Sequence, residues 1–277
     1  MATCGFGHNI QYDQESLKRL PVGCDEATYS QCNIFVWAIS MKYEIKYRPS
    51  YSLLEISLDP QEFIVAEAGS LTYMDPSVQI RTHMRSGQGV EGFLKTLGVS
   101  VLGQQSFFVN DLYTNTGGKV GLVSAPIGDI QTLEIRPGRG FVVQKSAYIA
   151  SSPGVELDIQ WQGFTKGIFG QGLFMLKVSG QGDLFMNTFG AIDQHSLQAG
   201  ETLIVDNFHL VAFTDSCQYT VKRIGGWKET ILSGEGLVVE IAGPGDVYIQ
   251  TKNLREFADW LWTVLAPKVR AMTGARQ

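Results

Sequence analysis

From residue 41 onward the chain alternates between short apolar runs and polar or glycine-rich breaks, and few of the runs are long enough for a helix. Tyr43, Ile45 and Tyr47 alternate with Lys42, Glu44 and Lys46, the period-two pattern of a half-buried strand. Arg48-Pro49-Ser50 interrupts that pattern. Residues 53–58 form a second strand pattern, which Asp59-Pro60 ends.

The pattern then recurs three times. Residues 62–73, 140–151 and 201–212 each hold an apolar run, a small or polar break and a second apolar run, which predicts two short strands around a turn. A polar strand follows at 78–81, 155–159 and 219–222. Next comes a glycine, aromatic and lysine loop: Gly92-Phe93-Leu94-Lys95, Gly163-Phe164-Thr165-Lys166 and Gly226-Trp227-Lys228. The glycines Gly103, Gly170 and Gly234 anchor the following strands, at 107–109, 174–178 and 237–241. Glycine turns at Gly117-Gly118, Gly180-Gln181-Gly182 and Gly243-Pro244-Gly245 lead to the closing strands at 120–123, 183–186 and 246–249. Self-similarity at a fixed spacing is the mark of a repeated supersecondary unit.

The expected fold is therefore all-β: three pseudo-symmetric repeats, each like a β-sandwich or barrel, followed by a helix. The expected boundaries are 41–134 for the first repeat (with an insertion near 87–103), 135–197 for the second and 198–252 for the third, with the helix and tail at 253–277. Leu254, Phe257, Ala258, Leu261 and Leu265 fall at helical spacing. This predicts a helix that Pro267 ends or kinks and whose apolar stripe covers a sheet edge or face. Trp260 and Trp262 are expected to be core residues of that helix. Residues 1–40 share no repeat and no sustained period, and lack the marks of a secretory or mitochondrial leader. They are expected to be an extension outside the repeated unit or the product of an upstream translation start.

Composition narrows the function classes. Hydrophobic residues are 44% and charged residues 18% of the chain, a globular balance. The net charge of −5 provides no global basic field for nucleic acid. Cys4, Cys24, Cys32 and Cys217 contain no C-x-x-C pair, so reduced thiols are expected instead of a zinc site or disulfide framework.

The Gly-Phe-x-Lys loop, the Gly170-Gln171-Gly172-Leu173-Phe174 run, the Gly-x-Gly turn and Asn187-Thr188-Phe189-Gly190-Ala191-Ile192 together resemble the "altered inheritance of mitochondria" family of mitochondrial biogenesis proteins. The resemblance covers roughly residues 41–266. It implies three repeats similar to the β-sandwich of the tryptophan RNA-binding attenuation protein, set about a pseudo-threefold axis, and a homo-oligomer, with a trimer favoured. It brings no catalytic residues with it.

Candidate chemistry is sparse. Gly87-x-Gly89-x-x-Gly92, with Asp111 downstream, matches a dinucleotide fingerprint in letters but lies in a β repeat, without the helix the mechanism needs. His83 is placed near the end of a polar strand, His195 in a loop and His209 in a strand; none belongs to a metal-ligand motif. His209, Asp206 and Ser216 can be drawn as a triad, but no G-x-S-x-G elbow positions the serine. The sharper candidates are the repeated contact loops: Phe93, Lys95, Phe164, Lys166, Phe169, Trp227 and Lys228. If exposed they form adhesive surfaces; if folded inward they plug each sandwich.

The expected function is a non-enzymatic, cytoplasmic, homo-oligomeric scaffold or binding module with no cofactor, no metal and no catalytic residues. A protein partner or a membrane surface fits it better than nucleic acid. The alternatives are an RNA-binding ring, by fold analogy, and an enzyme with a site between repeats, for which Glu156 or Asp158 with Glu235 would supply carboxylates.

Overall fold

The computed structural model describes residues 41–85, 107–123, 127–162, 173–223 and 237–274. Over the described residues the protein is mostly β, with four antiparallel sheets and one C-terminal helix. The first strands in chain order are β1 (Lys42–Lys46), β2 (Leu53–Leu58), β3 (Phe63–Glu67), β4 (Leu71–Met74), β5 (Val78–Arg85), β6 (Phe107–Thr114) and β7 (Gly118–Leu122). They are followed by β8 (Ile130–Ile135), β9 (Phe141–Gln144), β10 (Tyr148–Ser151), β11 (Val155–Gln162), β12 (Leu173–Gly180) and β13 (Gly182–Asn187). The last are β14 (Ile192–Leu197), β15 (Thr202–Asp206), β16 (Leu210–Thr214), β17 (Gln218–Arg223), β18 (Leu237–Ala242) and β19 (Gly245–Gln250). Helix α1 is Leu254–Gly274.

The sheet orders are β1-β2-β7-β4, β5-β6-β3-β10-β13-β8, β11-β12-β9-β16-β19-β14 and β15-β18-β17. Three hydrophobic cores lie between them. Leu54, Ile56, Val120 and Leu122 of the first sheet meet Ile64, Leu112, Ile149 and Phe185 of the second. Val65, Leu133, Tyr148 and Leu184 of the second sheet meet Phe141, Leu176, Val178 and Tyr248 of the third. Val142, Met175 and Phe213 of the third sheet meet Val205, Val239 and Ile241 of the last. The two six-stranded sheets thus carry a core on each face. That explains their near-continuous apolar strands, such as β16, in which all five residues are buried, where a one-sided sheet would alternate.

Strands β4, β10 and β16 each carry a register shift against their neighbour, between Leu71 and Tyr73, Tyr148 and Ala150, and Leu210 and Ala212. Such a bulge bends a strand and increases its twist. Gly121 sits opposite the first of these. A Cβ there would come within 2.2 Å of the Tyr73 ring, so the glycine is what lets that ring lie across the strand.

Several sequence expectations are corrected here. Strands β8 and β14 are additional to those expected, and His195 lies on β14 instead of in a loop. His209 lies in the turn between β15 and β16 instead of in a strand. Helix α1 runs through Pro267 to Gly274. Beyond Phe257 its stripe does not face a core: Leu261 is 38% and Leu265 40% exposed, and Trp260 and Trp262, expected as core residues, are 60% and 59% exposed. Periodicity identifies an apolar face but not what covers it.

The Phe185 ring is fully buried and meets Tyr43 edge-on at 4.8 Å. Phe185→Ala is expected to destabilise the chain by about 3–5 kcal/mol, measured as a lower midpoint of chemical unfolding.

Candidate functional site

The contact loops singled out from the sequence, Phe93, Lys95, Phe164, Lys166, Phe169, Trp227 and Lys228, lie outside the described residues. So do residues 1–40, the glycines of the dinucleotide-like run, and Glu235. Asp111 lies on β6 with its carboxylate 3.6 Å from His83. Glu156 and Asp158 are exposed on β11.

The drawn triad is not assembled. The His209 Nδ1–H donates to the Gln250 carbonyl at 2.7 Å, and Nε2 accepts from the Asn253 amide at 2.9 Å, a tautomer assigned from its neighbours. The Asp206 carboxylate accepts the Phe208 amide, and Ser216 donates to the Pro244 carbonyl. His209 instead serves the helix. Asn253 accepts the Glu256 amide through Oδ1 at 2.8 Å, a helix N-cap, and His209 holds that same asparagine in place. Phe257 packs on Phe189 at 5.5 Å, fixing the first turn.

Beyond that turn α1 presents Trp260, Leu261, Trp262, Val264, Leu265 and Met272 to solvent; Met272 is 66% exposed. At 100° per residue most of them fall on one side, opposite Arg255, Asp259, Thr263 and Arg270. This is an exposed apolar face; helical spacing alone predicts the stripe but not its exposure. Among the described residues no helix is long and apolar enough to cross a membrane.

A cleft of 230 Å³ opens between residues 50–52 and 187–188, with Tyr51, Ile127, Asp129 and Asn187 among its walls. It is built around a close backbone approach. A Cβ on Gly128 would lie 1.5 Å from the Thr188 carbonyl oxygen, so only glycine fits. Asp129 is buried beside it. It receives Arg48 Nε at 2.9 Å, Arg48 Nη2 at 2.9 Å, Ser52 Oγ at 2.8 Å and the Ile130 amide at 2.8 Å. Burial works to raise its pKa; the hydrogen bonds from Arg48, Ser52 and Ile130 outweigh it and hold the carboxyl below its ordinary value. With its acceptor sites filled, Asp129 is an ion-pair clamp and not a general base. The Asn187 Nδ2 is buried and unpartnered at the edge of this cleft.

Burial lifts the Glu67 carboxyl to about 7 against the opposing pull of Lys145. Burial lowers the pKa of Lys145, and burial likewise raises the Cys217 thiol, leaving it protonated and weakly reactive. Glu55, by contrast, is drawn down to about 2 by the hydrogen bond from Tyr73, then by Lys46 and Lys119. Among the described residues no three His, Cys, Asp or Glu side chains are placed to share a metal ion.

Two pH responses of opposite sign follow. Asp129 stabilises the fold above its unfolded pKa of about 3.9, and that contribution is lost as pH falls through the lower folded value. Asp129→Asn is expected to cost about 2–3 kcal/mol at pH 7, with the gap to the parent chain closing at low pH in denaturant titrations. Glu67 behaves in reverse. Folding favours its neutral form, so stability is lost as pH rises from the unfolded value of about 4.3 towards its folded value of about 7. Glu67→Gln is expected to melt at the parent temperature at pH 4 and above it at pH 8.

Two comparisons find the same Streptococcus pyogenes lineage. An uncharacterised protein of S. pyogenes serotype M6 is 29% identical over 224 residues, covering 80% of this chain and 90% of its own. A crystal structure of an S. pyogenes protein superimposes with a TM-score of 0.66 at 28% identity, covering 81% of this chain and all of its own. The family model described as mitochondrial biogenesis AIM24 matches residues 43–252, so the matched region spans all nineteen strands but for the first residue of β1. The chain belongs to the mitochondrial biogenesis AIM24 family.

Proposed function

We propose that the protein is a non-enzymatic, homo-oligomeric scaffold or binding module built from three like β-modules, and that α1 is one of its contact elements. The observation that carries this reading is the exposed helix face of Trp260, Leu261, Val264, Leu265 and Met272, with Trp260 at 60% and Met272 at 66%; Trp262, 59% exposed, adds an aromatic ring on the other side of the helix. Clustered exposed apolar side chains mark interaction sites in folded proteins, and exposed tryptophans are favoured anchors of such sites.

The modular part of the reading draws on the strand order. The sequences β5-β6-β3-β10-β13-β8 and β11-β12-β9-β16-β19-β14 differ by an offset of six strands throughout. The same offset relates β4, β10 and β16, each with its bulge, and the β2·β7, β8·β13 and β14·β19 pairings. Each module then owns one of the three cores and shares a sheet with the next. A body made this way offers repeated surfaces, and its titratable groups are spent on clamps and caps, as with Asp129 and His209.

Light scattering of the full chain is expected to give a mass that is an integral multiple, above one, of the chain mass. Trp260→Arg combined with Trp262→Arg is expected to leave the melting temperature near that of the parent, because exposed positions contribute within about 0.5 kcal/mol, while weakening self-association or partner binding at least tenfold. A strict monomer that binds nothing through α1 would overturn the reading.

A further inference from the structure

Resting on the three-module reading, we infer that the β15 edge of one copy pairs antiparallel with the β4 edge of a second copy. In that pairing Met74 lies opposite Ile204 and Tyr73 opposite Val205.

The register comes from the two junctions that exist within the chain. At the first, β10 pairs with β3 as Ala150 with Ala66 and Ser151 with Val65. At the second, β16 pairs with β9 as Ala212 with Val143 and Phe213 with Val142. The residue after the bulge identifies Tyr73 with Ala150 and Ala212, and Met74 with Ser151 and Phe213. On the other side, Ile204 faces Glu240 as Val65 faces Asp111 and Val142 faces Lys177. A third junction would therefore join β4 to β15, yet these strands lie at the edges of two separate sheets.

Burial shows what those edges lack. Val65 and Val142 are 1% and 8% exposed, while Ile204 is 61% exposed. Ala150, Ser151, Ala212 and Phe213 are fully buried, while Tyr73 is 39% and Met74 38% exposed. The same positions are covered at two junctions and open at the third, with apolar side chains waiting on both strands.

The edges also lack charged or proline guards, and the bulge in β4 recurs in β10 and β16, which pair nonetheless. Unpaired strands are blunted by charge or proline, and the other edge strands follow that rule. Strand β1 carries Lys42 and Lys46, β5 carries Arg81, β8 carries Glu134, β11 carries Glu156 and Asp158, β14 carries Asp193 and β17 carries Lys222. Strand β4 reads LTYM with no charge, and β15 reads TLIVD, whose one acid is engaged by the Phe208 amide. The fold guards its other edges and leaves open the two whose counterparts elsewhere in the chain pair with each other. A second copy supplies both missing strands.

The test uses full-length chains in which Cys4, Cys24 and Cys32 are replaced by serine. Chains carrying Met74→Cys and chains carrying Ile204→Cys are co-expressed and mildly oxidised. A disulfide-linked heterodimer is expected from the pair, since directly opposed antiparallel residues have Cα atoms about 4.5–5.5 Å apart, within the span a disulfide bridges, and no crosslink from either alone. Ile204→Lys is expected to weaken self-association at least tenfold while far-UV circular dichroism is unchanged. No heterodimer in a sample that light scattering still shows to be oligomeric overturns the edge pairing and leaves the scaffold reading standing. An exclusively intramolecular disulfide in the Met74→Cys/Ile204→Cys chain overturns it by showing that the edges close within one copy. A monomeric parent overturns the edge pairing and the homo-oligomeric part of the scaffold reading, and leaves partner binding through α1 to be decided by the tryptophan variant.

Discussion

The pairings of β3 with β10 and of β9 with β16 are the constraint on which the rest of the structure depends. Each converts two three-stranded halves into one six-stranded sheet, and each such sheet is then buried on both faces. A strand in that position has no polar face to offer, so β10 and β16 are buried at every residue. Weakening either junction would expose main-chain groups and two cores together. The hydrogen-bonding edges and the hydrophobic burial are therefore one problem with one solution, and the bulges in β10 and β16 set the twist at which both are met.

Much of this was legible in the chain. The glycine turns at 117–118, 180–182 and 243–245 and the apolar runs on either side give the hairpins directly, because turn chemistry and period-two alternation are local signals. Strands β8 and β14 were not, because their partners β13 and β19 lie about fifty residues further on and their outward positions, such as Gln131 and Gln194, carry no β preference. His209 was misplaced for a similar reason. Its two partners are Gln250 and Asn253, and nothing near it in sequence announces them.

The candidate site divides the same way. The stripe on α1 is plain in the spacing of Leu254, Leu261 and Leu265, but the spacing cannot tell a covered stripe from an open one. The Asp129 clamp has no sequence signal at all: Arg48 is 81 residues away, and Gly128 is one glycine among 31. What makes Gly128 special is the Thr188 carbonyl in its path, a tertiary fact. The displaced Glu67 is equally silent, since its environment comes from strands that meet only in the folded body.

Asn253 ties the entry of α1 to the turn between β15 and β16, since it caps the helix and binds the His209 ring, and the Phe189–Phe257 contact seats the first turn. Counted from Asn253 at 1.5 Å per residue, Trp260 lies about 10 Å along the axis and Met272 about 28 Å. The bearing of α1 on the last module is therefore set in part where the helix starts, with the buried Ala266 a second point of contact, and a substitution at His209 or Asn253 would alter the angle at which the apolar face is held out.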